Sequence, residues 1–108
     1  MDSRKLRTFH RVIARHIEAL GSREDYKILL EIAATQQEGN RLTLKTLLQS
    51  VAIPESTLKR RLSSLVKKRL VMKQMTSDDR RVHCYSLPDK TLKILAELVR
   101  DIRTFRWD

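Results

Sequence analysis

The sequence predicts a mainly α-helical chain with one small β-hairpin, an α+β class in the order helix, helix, helix, helix, strand, strand, helix. Three observations predict it. Apolar residues recur at helical spacing through five segments, bounded by capping or breaking residues. Between residues 71 and 87 that spacing gives way to alternation around a polar turn. Only two Gly and two Pro occur in 108 residues, so little interrupts regular structure.

Asp2 or Ser3 caps a first helix that runs to about Leu20, with Leu6, Phe9, Ile13, Ile17 and Leu20 on one stripe and Arg4, Arg7, Arg11 and Arg15 elsewhere around it. Gly21 ends it. Ser22-Arg23-Glu24-Asp25 reads as a variant capping box for a second helix, which turns Ile28, Leu29, Ile32 and Ala33 inward until Gly39-Asn40 stops it. Thr43 caps a short third helix whose buried set is Leu44, Leu47, Leu48 and Val51. A minor strand near Arg41-Leu42 can pair with the hairpin. Pro54 suits the first position of a fourth helix, where its missing donor costs nothing, and this helix extends to about Arg69 with Leu58, Leu62, Leu65 and Val66 inward. Residues 71–75 form a strand with Val71, Lys73 and Met75 on one side and Met72 and Gln74 on the other. Residues 76–81 are the polar turn, and 82–87 the second strand. Pro88 breaks that strand, Asp89 caps the last helix, and Leu92, Leu95, Leu98, Val99, Ile102 and Phe105 form its stripe, with Trp107 just beyond.

The chain carries 23 Lys and Arg against 13 Asp and Glu, a formal net charge of +10, and its isoelectric point is near 10.4. A chain of this length makes one domain and buries roughly 65% of its unfolded surface, enough for a modest core. No apolar run approaches the roughly 18 residues of a membrane span, and the first twenty residues lack a signal-peptide hydrophobic region. Lone Cys84 cannot close an internal disulfide, so a reducing, cytoplasmic setting is expected. The basic balance makes nucleic acid the leading partner, ahead of an anionic membrane or an acidic protein. The excess is uneven: +3 over residues 1–20, zero over 21–53, +6 over 54–83 and +1 over 84–108. A solvated surface helix mixes its signs, so the third stretch marks an anion-facing surface.

Catalysis finds no residues to support it. His10 and His16 stand about 240° apart around a helix, and His83 and Cys84 point to opposite faces of a strand. No glycine loop that would cradle phosphate is present. No enzyme activity, metal or cofactor is expected, and Cys84 reads as a small core residue rather than a redox switch. Aromatic residues make up 5% of the chain, too little for a deep pocket, so no small-molecule effector is expected.

With Leu58 set at zero and about 100° per residue, Ser56, Arg60, Ser63 and Lys67 fall within roughly 40° of the opposite pole of the fourth helix, flanked by Lys59. The run Leu47-Leu48-Gln49-Ser50-Val51-Ala52-Ile53-Pro54-Glu55-Ser56-Thr57-Leu58-Lys59-Arg60-Arg61-Leu62 resembles a helix-turn-helix, with a small and then an aliphatic residue in the tight turn. Leu70-Val71, Asp78-Asp79-Arg80-Arg81 and Ser86-Leu87 resemble the wing of the MarR family of winged-helix regulators, which carries Asp-x-Arg at its tip and a Leu some eight residues later. The match covers roughly residues 44–95. Pro54, Pro88 and Thr91 depart from it, standing where that family favours Ser, Thr and Gly.

The resemblance implies one winged-helix domain over residues 1–108, with the helix-turn-helix and wing in 43–87 and dimerising terminal helices in 1–20 and 89–107. The fourth helix is expected in the major groove of double-stranded DNA, where Arg60 meets a guanine through two donors, Lys59 and Lys67 meet phosphates, and Ser56, Thr57 and Ser63 permit close approach. Lys73 completes the charged set on the strand. By resemblance, Arg81 enters the minor groove, Arg80 contacts the backbone and Asp79 supports the hairpin. Leu6, Phe9, Ile13 and Ile17, with Leu98, Ile102 and Phe105, offer more apolar helix surface than a thin core covers, which predicts a homodimer on a palindromic site. The expected function is sequence-specific DNA binding by a transcriptional regulator. DNA architecture, replication or partition, and protein interaction through the same fold, stay open as alternatives.

Overall fold

A computed structural model describes residues 2–75 and 82–106. Its elements are α1 (Ser3–Leu20), α2 (Arg23–Gln37), β1 (Leu42–Thr43), α3 (Leu44–Ser50), α4 (Glu55–Lys67), β2 (Met72–Met75), β3 (His83–Ser86) and α5 (Asp89–Thr104). The expected minor strand is β1, and the three strands form an antiparallel sheet in the order β1-β3-β2.

Side-chain caps set the helix starts where the sequence places them. Asp2 Oδ1 accepts the Arg4 and Lys5 amides at 3.1 and 3.3 Å, so the cap of α1 is Asp2 rather than Ser3. At α2 the Ser22 amide donates to Asp25 Oδ2 at 2.9 Å and the Asp25 amide to Ser22 Oγ at 3.2 Å, a reciprocal box. Gly21, between the two helices, has φ +125°, and a Cβ there would collide with the Asp25 carboxylate. The junction therefore demands glycine.

Three boundaries differ from expectation. Pro54 is the N-cap of α4, one position before the first helical residue, and its carbonyl accepts the Leu58 amide at 2.9 Å. Pro88, not Asp89, caps α5; Asp89 is its first residue, a negative charge at the positive end of the helix dipole. α4 stops at Lys67 because Arg69 turns left-handed, φ +61°, which sends the Leu70 amide back to the Leu65 carbonyl and the Arg69 amide to Val66. The same pattern ends α2, where Gly39 takes the left-handed place at φ +78°. Arg69 has a Cβ to accommodate there, at a cost of about 1 kcal/mol.

The core joins α2, α3, α4 and the sheet. Leu20, Ile28, Leu29, Ile32, Leu47, Leu58, Leu65, Val71 and Leu87 are all 2% exposed or less. Cys84 is not among them: it lies half-buried on β3, facing away from His83 and Tyr85, which corrects its reading as a core residue. Two polar links tie the layers. The Leu87 amide donates to Gln36 Oε1 at 2.8 Å, and the fully buried Thr91 donates its hydroxyl to the Leu70 carbonyl at 2.8 Å. α1 and α5 join this core through Leu20 and Leu95 and pack against each other beyond it, with the Phe9 and Phe105 rings 5.3 Å apart and His16 Nε2 bonded to Asp101 Oδ2 at 2.8 Å. The molecule is elongated, 52 × 25 × 23 Å. Among the described residues, no helix is long and apolar enough to cross a membrane.

Candidate nucleic-acid interface

Leu58, Leu62 and Leu65 hold the inner face of α4 against the core, so the opposite face must look outward. Ser56, Lys59, Arg60, Ser63 and Lys67 are all exposed there. Thr57 is half-buried, because its place beside Leu58 turns it to the flank. Lys73 is exposed on β2. Asp79, Arg80 and Arg81, the expected wing-tip set, lie outside the described residues, as does Trp107.

A cleft of about 720 Å³ separates α4 from the sheet. α4 lines it with Lys59, Ser63 and Lys67, the sheet with Lys73, His83 and Tyr85, and α3 with Lys45, beside the apolar Leu44, Leu62 and Val66. Lys45, His83 and Tyr85 are additions to the set expected from sequence. Strand alternation holds the clue for two of them: Lys73 pairs with Tyr85 and Met75 with His83, so these side chains share one face once the register is known. Lys45 arrives only through the packing of α3. Burial pushes the Tyr85 phenol above its ordinary value of 10.0, so it stays a neutral hydroxyl donor.

Not every cation of residues 54–83 serves this face. Arg61 turns inward, with Nε 3.5 Å from Glu24 Oε2 and Nη1 3.9 Å from Oδ2 of the buried Asp25. It fastens α4 to the start of α2. Lys59 meets Glu55 one turn earlier at 3.4 Å, but both ends are exposed and such pairs contribute only about 0.3–0.5 kcal/mol. Arg60, Lys67 and Lys73 make no ion pair among the described residues. The arrangement thus presents unneutralised cations, short hydroxyls and one guanidinium on a rigid helix. Among the described residues, no group of three His, Cys, Asp or Glu comes together as a metal site.

No protein-family model matches the sequence, and no curated protein matches it. Solved structures do match it in fold. A point mutant of S. aureus MepR bound to an oligodeoxyribonucleotide superposes with a TM-score of 0.74 at 20% identity, over 87% of this chain and 70% of that one. Wild-type apo MarR from E. coli gives 0.68 at 18% identity, over 91% and 70%. The fold is a winged helix like that of MepR and MarR. A third structure, from Archaeoglobus fulgidus, matches with a TM-score of 0.67 at 21% identity, over 85% of this chain and 98% of its own length.

In this MarR-like fold α3 and α4 are the helix-turn-helix, and β2 and β3 are the strands of the wing. The terminal helices divide their apolar stripe. Leu98, expected to face a second copy, is 3% exposed within one chain and so is already covered. Phe9 and Phe105 contact each other, and Ile13 and Ile17 are half-buried. Leu6, Val99 and Ile102 remain 38%, 48% and 37% exposed. A separate groove of about 870 Å³ between α2 and α5 is lined by Leu30, Ala33, Leu95 and Val99 together with Arg100 and Arg103, and among the described residues no aromatic ring lines it.

Proposed function

We propose that this MarR-like winged helix is a non-enzymatic transcriptional regulator that binds double-stranded DNA sequence-specifically, as a homodimer on a palindromic site, in the cytoplasm at the nucleoid. One observation carries the reading. Arg60, Ser63 and Lys67 project from the exposed face of α4 beside Lys73 with no carboxylate partner among the described residues. A helix of this width fits the major groove, where Arg60 can give two donors to guanine O6 and N7, while Lys59, Lys67 and Lys73 take phosphates. Ser56 and Ser63 allow the helix to approach closely, and Thr57 borders the contact from the flank. Arg81 in the minor groove, Arg80 on the backbone and Asp79 supporting the hairpin complete the contact set by resemblance. The DNA-bound MepR structure supports the reading, since a protein of this fold takes an oligodeoxyribonucleotide. Leu6, Val99 and Ile102 support the homodimer, because they leave an apolar strip along both terminal helices.

Selection of bound fragments from genomic DNA, followed by footprinting, tests this. Protection of a discrete palindrome with half-sites about one helical turn apart is the expected result. Protection spread over many repeated sites would instead favour an architectural or partition role, and absence of binding at low salt would leave an acidic protein as the partner.

A further inference from the structure

We infer that α1 carries a second surface for DNA: its exposed row of Arg4, Arg7, Arg11 and Arg15 holds the phosphate backbone of a second duplex, so that the protein bridges two DNA segments. The inference rests on the DNA-binding reading above and adds to it a face which that reading leaves unused. All four arginines are exposed, and none makes an ion pair among the described residues. At about 100° per residue, Arg4, Arg11 and Arg15 fall within about 40° of one another, with Arg7 about 40° to one side. The row spans about 16 Å of helix, the axial length of about five phosphate steps along one DNA strand. Thr8 lies among the arginines and donates its hydroxyl to the Arg4 carbonyl at 3.0 Å. Glu18, the one carboxylate of α1, comes after the last of them. Leu6, on the apolar strip proposed for a second copy, stands about 160° around the helix from Arg4, so a dimer leaves the row open.

The chemistry of the row selects its partner. Arginine throughout, with no lysine, suits oxyanions that accept two parallel donors. A nucleic-acid backbone offers such acceptors in succession, and contact with it needs no apolar anchor. The centre of a protein interface does need one, and within about 60° of this pole α1 has no apolar side chain larger than alanine. A lipid surface would take up the apolar side of the helix, which lies opposite and is packed on α5 through Phe9 and Phe105. The row also stands apart from the reading face. Leu58, Leu62 and Leu65 fix α4 in the core, whereas α1 enters the core only at Leu20, about 8–24 Å along the helix from the arginines. The arm that α1 makes with α5 runs beyond that core in a molecule 52 Å long, so a duplex seated on α4 leaves the row free for another.

Co-capture of two duplexes tests the inference. The full chain is mixed at low salt with a mixed-sequence duplex fixed on beads and a fluorescent copy of it in solution, and binding of one duplex is followed in parallel by anisotropy. The wild-type protein is expected to hold the fluorescent duplex on the beads. Combining Arg4→Gln, Arg7→Gln, Arg11→Gln and Arg15→Gln should cut that capture at least about tenfold, yet keep single-duplex affinity within about threefold, because α4 and the wing retain their phosphate contacts. Undiminished capture by this variant assigns bridging to the two reading faces of a dimer and overturns the inference. Equal loss of capture and of single-duplex binding makes the row part of the first contact, and overturns it too. In the unmodified protein, the Nε–H resonances of the four arginines should shift at excess duplex, and unmoved resonances count against the second surface. Binding of one duplex without any wild-type capture sinks the inference and leaves DNA binding standing, whereas failure to bind duplex at low salt removes both. Absent capture, with phosphatidylserine vesicles bound by the wild type and not by the variant, would give the row to a membrane instead.

Discussion

The two ends of the molecule solve different problems. Around α3 and α4, one chain covers its own apolar side chains: Leu47, Leu58 and Leu65 are 0% exposed, and the outward face of α4 is left to cations and hydroxyls. At the other end, α1 is 18 residues long and buries only Leu20, although its apolar stripe is as regular as any in the chain. The comparison teaches that helical periodicity alone does not say what covers a stripe. One stripe finishes a core, and the other is only half covered by its neighbour α5.

Core truncations should separate the ends most strongly. Leu58→Ala in the reading half and Leu98→Ala in the terminal pair should each cost about 2–5 kcal/mol in urea unfolding, since both side chains are enclosed within one chain. A negligible effect at Leu98 would return that residue to the set awaiting a second copy. Next in size, Arg60→Ala should weaken binding to the cognate site by about 1–3 kcal/mol and relax sequence preference, whereas Lys67→Ala should weaken cognate and random duplexes alike. Equal losses on both DNAs for both variants would contradict the assigned readout. Ile102→Asp, by contrast, should leave unfolding of the chain within about 0.5 kcal/mol. It should still raise the dimer dissociation constant at least about tenfold by sedimentation. A wild-type protein that sediments as a monomer at tens of micromolar would remove the dimer altogether. Smallest of all, Arg69→Gly should stabilise the chain by about 0.5–1 kcal/mol by relieving the left-handed residue after α4, with no change in DNA affinity.

The parts legible in the sequence were those set by neighbours along the chain. Asp2, Ser22 and Thr43 cap because a short side chain can reach amides two or three residues ahead, and that geometry is local. Ile28, Leu29 and Ile32, and likewise Leu58, Leu62 and Leu65, lie inward because their spacing leaves one dry face. Pro54 and Asp89 sit one position from their expected roles, since proline serves both the cap and the first turn and only the backbone angles decide. Nothing in the residue type announced that Arg69 would take a place usually given to glycine. Charge was legible in amount but not in direction. Arg61 belongs to the most basic stretch, yet Glu24 and Asp25 draw it away from the outer face. Lys45 comes from a segment of zero net charge and joins the cleft through tertiary packing. His83 required the β2–β3 register.

The central claim is that the charged half of this winged helix is a surface for DNA phosphates. Titration of duplex binding against salt tests it most directly, because each neutralised phosphate releases counterions. With about six phosphates neutralised per protomer, log affinity against log salt should fall with a slope of about −5. A slope near zero between low and moderate salt would contradict the account.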